Sequence, residues 1–179
     1  MINNMNEVLL AIDPGDVQSA FCFMDVETYK PLYFAKEKNE DAMKHIVEYI
    51  QGSNTAVSNV KNAAIEMIAS YGMAVGRSTF ETCRQIGRFA ERLELLGVNV
   101  DYIYRKDEKM CLCGQMRAKD SNIRQALIDR FAQFDFKNGK GTIKNPDWFF
   151  GFKADCWAAY AVGCVWLDIK NGYYTLTTN

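Results

Sequence analysis

A glutamate stands inside an otherwise apolar run, Lys61–Ile68 (KNAAIEMI), where an unpartnered carboxylate is costly to bury. Two more acids occupy comparable positions. Asp13 closes the apolar run Glu7–Asp13 (EVLLAID), and Asp155 opens DCWAAYAVG, on the same helical face as Ala158, Ala159 and Val162. Each has a duller explanation: Asp13 could cap the turn at Pro14-Gly15, and Asp155 could be a favourable charge at a helix N-terminus. Glu66 has no such role. If the first and fourth strands lie side by side in a mixed sheet, Asp13 and Glu66 converge at their carboxyl ends. The start of the last helix can then bring Asp155 to the same point. Clustered carboxylates repel one another, and Mg²⁺ or Mn²⁺ relieves that repulsion, two ions together being able to hold a phosphate and activate water. Asp13, Glu66 and Asp155 are therefore the expected metal ligands and catalytic acids.

The remaining pattern sets these acids in an α/β framework. Glu7–Asp13, Gln18–Val26 and Pro31–Ala35 read as strands, the first two joined at Pro14-Gly15-Asp16. Asn39 is the expected cap of a helix carrying Ala42, Met43, Ile46, Val47 and Ile50. Lys61–Ile68 is a fourth strand, and Ser78 is the expected cap of a long helix that Gly97 ends. Val98–Tyr104 is a fifth strand, followed by a basic connector. A helix from Ser121 to Phe134, a loop over Asp135–Gly151 and a last helix from about Ala154 to Ile169 complete the chain. Three strands followed by alternating helices and strands imply a five-stranded mixed sheet with helices on both faces, in one unit over residues 1–179.

A formal net charge of −1 argues against a uniformly basic nucleic-acid protein, but the charge is uneven. Between Arg105 and Arg130 lie Arg105, Lys106, Lys109, Arg117, Lys119, Arg124 and Arg130 against Asp107, Glu108, Asp120 and Asp129. Residues 77–92 add Arg77, Arg84, Arg88 and Arg92. Either stretch is a solvated helix face or a phosphate-binding surface. Cys22, Cys83, Cys156 and Cys164 sit in apolar patterns, and Cys111-Leu-Cys113 lacks zinc-site spacing, so six reduced, mostly buried thiols and no zinc are expected. No apolar run approaches the ~20 residues of a membrane span, and the N-terminal residues do not resemble a signal peptide. A cytoplasmic protein is the expectation. No phosphate-loop motif G-x-x-x-x-G-K-[ST] occurs, so no nucleotide cofactor is expected.

The segments AIDPG (Ala11–Gly15), AIEMI (Ala64–Ile68) and DCWAAYAVG (Asp155–Gly163), in that order, resemble the RuvC branch of the RNase H-like nucleases. Lys109–Arg124 resembles the basic segment preceding a helix in that family. The likeness runs along nearly the whole chain, most clearly to compact resolvase-like proteins of phages and Gram-positive bacteria. It implies an RNase H-like fold, a homodimer, Mg²⁺ dependence and cleavage of four-way (Holliday) and other branched DNA, leaving 5′-phosphate ends. The family's fourth carboxylate falls on Ala158, with Asp16 or Asp147 as possible substitutes. Its catalytic lysine falls on Asp120, so Lys119 or Lys109 would take that role. Tyr71, Met73, Arg77, Arg105, Lys106, Lys109, Arg117 and Lys119 are the expected DNA contacts, and the helix over 78–96 is the expected dimer surface. The rival readings are a catalytically silent binder of branched DNA and a nuclease acting on RNA or RNA–DNA hybrids.

Overall fold

A computed structural model of the chain describes residues 6–52, 59–70, 72, 74–153 and 155–176. Five strands, β1 (Val8–Asp13), β2 (Gln18–Asp25), β3 (Pro31–Lys38), β4 (Val60–Met67) and β5 (Asn99–Tyr104), form one sheet in the order β3-β2-β1-β4-β5. The first three strands make an antiparallel meander, and β4 and β5 run parallel to β1. The helices are α1 (Asn39–Ile50), α2 (Arg77–Leu95), α3 (Arg105–Cys113), α4 (Asp120–Phe131) and α5 (Cys156–Lys170).

The period-two alternation of the strands divides the core between two faces. Val8, Leu10, Ile12, Ala63 and Ile65 pack with Ile46 of α1 and with Ile86, Phe89 and Leu93 of α2. Leu9, Ala11, Cys22, Met24 and Ala64 face α5, with α4 beside it. The central helix α5 is buried almost all round, which explains its unbroken apolar composition. It lies close to the sheet because Gly163 has no side chain. A Cβ there would come within 2.2 Å of Met24 Sδ and 3.0 Å of Ala11 Cβ.

Several local expectations need correction. Asn39 is the first residue of α1, which Lys38 precedes as cap. Its amide instead donates to the carbonyls of Gly15 and Asp16, tying the helix to the β1–β2 turn. Ser78 is likewise inside α2, after Gly76, and its hydroxyl donates to Asp16. The connector after β5 contains the nine-residue helix α3, whose Asp107 and Glu108 are buried. Cys83 is exposed, while Cys22, Cys156 and Cys164 are buried, and all six thiols are free. Among the described residues, no helix is long and apolar enough to cross a membrane.

Candidate active site

Register brings the first two acids together. Ile12 of β1 stands opposite Ile65 of β4, and both point toward α1 and α2. The next residues, Asp13 and Glu66, therefore point to the other face, toward α5. The same row continues across the sheet: Asp13 opposite Ala20, Ala20 opposite Lys36, and Glu66 opposite Ile103. Asp155, immediately before α5, reaches this row from above. Asp13, Glu66 and Asp155 line one cleft of about 400 Å³, together with Arg105, Asp120, Ile123, Arg124, Trp157 and Ala158.

Four acids against two arginines leave this cleft rich in negative charge. Burial pushes the Asp13 carboxyl up from 3.8 to about 8, reinforced by repulsion from Glu66, a hydrogen bond to Glu66 and the charge of Asp155. Arg105 offsets only part of this shift. Asp13 thus keeps its proton at neutral pH unless a cation arrives.

Two basic side chains reach the acids. Lys36 forms an ion pair with Asp155, which raises the pKa of the lysine. Arg105 pairs with Asp120 and with Glu108, the latter at 2.5 Å. Burial alone would lower the Arg105 guanidinium, but Glu108, Glu66 and Asp120 raise it above its ordinary value. Glu108 is fully buried, and its Oε1 has no hydrogen-bond partner. Burial and the charge of Glu66 push its carboxyl well up, Arg105 opposing.

The donor chemistry, carboxylate oxygens only, suits a hard divalent cation rather than zinc or copper. The orphaned oxygen of Glu108 and the protonated Asp13 indicate that the cluster lacks positive charge. Among the described residues, however, no three Asp, Glu, His or Cys side chains are gathered closely enough to enclose one ion. Asp155 is paired with Lys36, and Glu108 with Arg105.

The other expected residues fall elsewhere. Asp16 accepts from Ser78 and lines a separate hollow with Arg77, Glu81 and Arg84. Asp147 accepts four backbone N–H groups, from Gln133, Phe134, Asp135 and Trp148. Those bonds hold its pKa down at about 2 and commit it to the loop. Neither substitutes for the fourth family acid within the cleft. Lys106 and Lys109 are half-buried on α3, while Arg117 and Lys119 are exposed just before α4. None of these four lines the acidic cleft; of the expected cations only Arg105 does. Tyr71 and Met73 lie outside the described residues.

Lys36, Glu108, Arg124 and Trp157 were not anticipated at the site. The alternation of PLYFAKEK could have put Lys36 on the acidic face, but only the strand register brings it into the row of Asp13, within reach of Asp155. Glu108 carries no apolar signal in RKDEKMCLC.

No protein-family model and no curated protein sequence matches this chain. Similarity to solved structures is clear. Thermus thermophilus RuvC aligns over 92% of this chain and 96% of its own, with a TM-score of 0.64 and 15% identity. RuvC from T. thermophilus in complex with a Holliday junction substrate aligns over 93% and 97%, with a TM-score of 0.63 and 13% identity. The chain has the RuvC-type, RNase H-like fold. The expected fold class, a five-stranded mixed sheet with helices on both faces, is borne out.

Proposed function

We propose that this protein is a divalent-cation-dependent endonuclease acting on branched DNA, with Asp13, Glu66 and Asp155 at its centre. The observation behind it is the convergence of these acids, from two adjacent parallel strands and a helix start, in a cleft with excess negative charge. A fold shared with RuvC, including a neighbour solved with a Holliday junction, supports DNA as the substrate class. Mg²⁺ is the cation favoured by the all-carboxylate donor set, and Mn²⁺ substitutes for it.

Asp13 and Glu66 would hold the cation, Asp13 releasing its proton as it binds. Asp155 would join them by exchanging Lys36 for the metal, which frees the lysine for a phosphate oxygen. Divalent ions bound there supply Lewis acidity to the phosphate and lower the pKa of the attacking water. Arg105, already beside Glu66, is better placed than Lys119 or Lys109 to offset charge developing on the phosphate. Nicking two opposed strands calls for two copies of the chain related by a two-fold axis. The exposed stripe of α2, with Phe80 at 64% exposure beside Cys83 and Gly87, is the candidate contact between them.

A second reading is a catalytically silent binder of branched DNA, favoured by the Lys36–Asp155 ion pair and by the fact that, among the described residues, no three acids are gathered around one point. Cleavage of synthetic four-way junctions, flaps, duplexes and RNA–DNA hybrids with Mg²⁺ or Mn²⁺ separates the two. Junction cutting that disappears in Asp13→Asn and Glu66→Gln, with binding retained, supports the nuclease; no cutting with either metal supports the binder. Preferential cutting of hybrids would replace DNA with RNA as the substrate.

A further inference from the structure

Beside the acidic cleft lies a second cavity, of about 310 Å³, with the opposite charge. Lys137, Asn138 and Lys140 of the α4–α5 loop line one side, and Ser121 and Arg124 of α4 line the other. Arg124 and Trp157 line both cavities, so the two adjoin. The Arg124 guanidinium lies over the Trp157 ring, 5.4 Å from its centroid, which holds a cation at the boundary.

The loop that brings the lysines is wired by its own backbone. Asp135 accepts N–H groups from Asn138 (3.0 Å), Lys140 (3.1 Å) and Gly141 (3.0 Å), and the four bonds to Asp147 close its base. Gly139, at a φ of +71°, packs so tightly that a Cβ would stand 2.7 Å from the Phe149 ring. The loop is therefore held without help from the Lys137 and Lys140 side chains. Phe136–Pro146 carries three lysines and no acid. Among the described residues, neither lysine nor Arg124 has an ion-pair partner. Three cations without ion-pair partners, converging on a cavity next to an acidic one, fit an anion that runs past both. A nucleic-acid strand has that form: its scissile phosphate sits with the metal, and its neighbouring phosphates need cations.

We propose that this cavity binds the phosphodiester backbone of the nucleic-acid strand whose scissile phosphate occupies the acidic cleft. The site rests on the nucleic-acid reading above but does not depend on cleavage.

Equilibrium binding of a synthetic four-way junction in EDTA, across a salt series, tests it without catalysis. In the double variant Lys137→Ala/Lys140→Ala, the slope of log affinity against log salt should fall in magnitude by about two, roughly one for each lost contact. Lys44→Ala, on a remote face of α1, should leave the slope unchanged, and an unaltered melting temperature in the double variant excludes misfolding. An unchanged slope in the double variant overturns the site while leaving the nuclease reading intact. An equal fall in Lys44→Ala also overturns it, by showing only diffuse attraction. Absence of salt-dependent binding by the unaltered protein overturns both readings.

Discussion

Helix α5 has a buried or half-buried acid at each end, and the two ends use their acids in opposite ways. At the C-terminal end, Asp168 is saturated. Arg130 donates to both of its oxygens, at 2.7 and 2.8 Å, the Tyr29 hydroxyl donates at 2.9 Å, and Cys111 Sγ lies 3.5 Å away. Arg130 also lies over the Tyr29 and Phe131 rings. At the other end, Asp155 joins Asp13 and Glu66, where acids outnumber cations and Asp13 retains a proton up to about pH 8. A buried carboxylate with every lone pair matched by a donor holds a fold together. A set of carboxylates facing one another costs stability and is poised to take up cations.

The sharpest way to break the contrast is to remove one partner at each end. Arg130→Ala leaves Asp168 charged and unmatched and should cost about 3–5 kcal/mol, lowering the melting temperature by roughly 10 °C. Asp13→Asn should do the reverse. It should raise thermal stability at pH 8 while cutting junction cleavage by more than about 100-fold, the size of effect at least expected from losing a metal contact. Equal destabilisation by both substitutions, read by thermal melts, would erase the distinction.

Metal addition should affect only the N-terminal end. Mg²⁺ at about a hundred times its Kd should stabilise the protein by about 2.7 kcal/mol, and Asp13→Asn should abolish most of that gain. The pH dependence carries a sign. In the fold Asp13 titrates near 8, and in the unfolded chain near 3.8, so between these values the folded state holds the extra proton. Its contribution to stability is therefore fully present below about pH 4 and declines as pH rises toward 8. The melting temperature should fall over that interval in the metal-free protein and fall less in Asp13→Asn. Mg²⁺ must displace the proton, so its stabilisation should be larger at pH 8 than at pH 6. A metal effect that does not vary with pH would remove Asp13 from the ligand set.

The smallest effect is expected at Glu108. Glu108→Gln keeps the shape of the buried side chain and removes its repulsion with Glu66 while weakening its pairing with Arg105, so it should change stability by no more than about 1 kcal/mol in melts at pH 7. A large loss would mean that the group is ionised and its pairing with Arg105 supports the fold.

The strands β1 and β4 and the helix α5 were legible because elements buried on both sides are written as apolar runs, and a lone acid within one stands out. That is why Asp13, Glu66 and Asp155 could be read directly. Helix α3 was not, because its buried residues Asp107 and Glu108 look like a solvated face in RKDEKMCLC. Asn39 and Ser78 were misplaced as caps because their side chains reach across to Gly15 and Asp16, contacts that no local pattern encodes. Lys36 and Arg124 were missed as site residues because strand register and the docking of α4 bring them there.

Gly163 lies between the two ends of α5, eight residues after Asp155 and five before Asp168, or about 12 and 7.5 Å along the axis. The helix rests on Met24 and Ala11 at that point as a beam rests on a fulcrum. A single methyl group there would have to displace the Met24 side chain or lift the helix, and a lifted helix would carry Asp155 at the cleft and Asp168 at its arginine with it. The acid cluster and the Asp168 ion pair are thus tied to the same missing side chain.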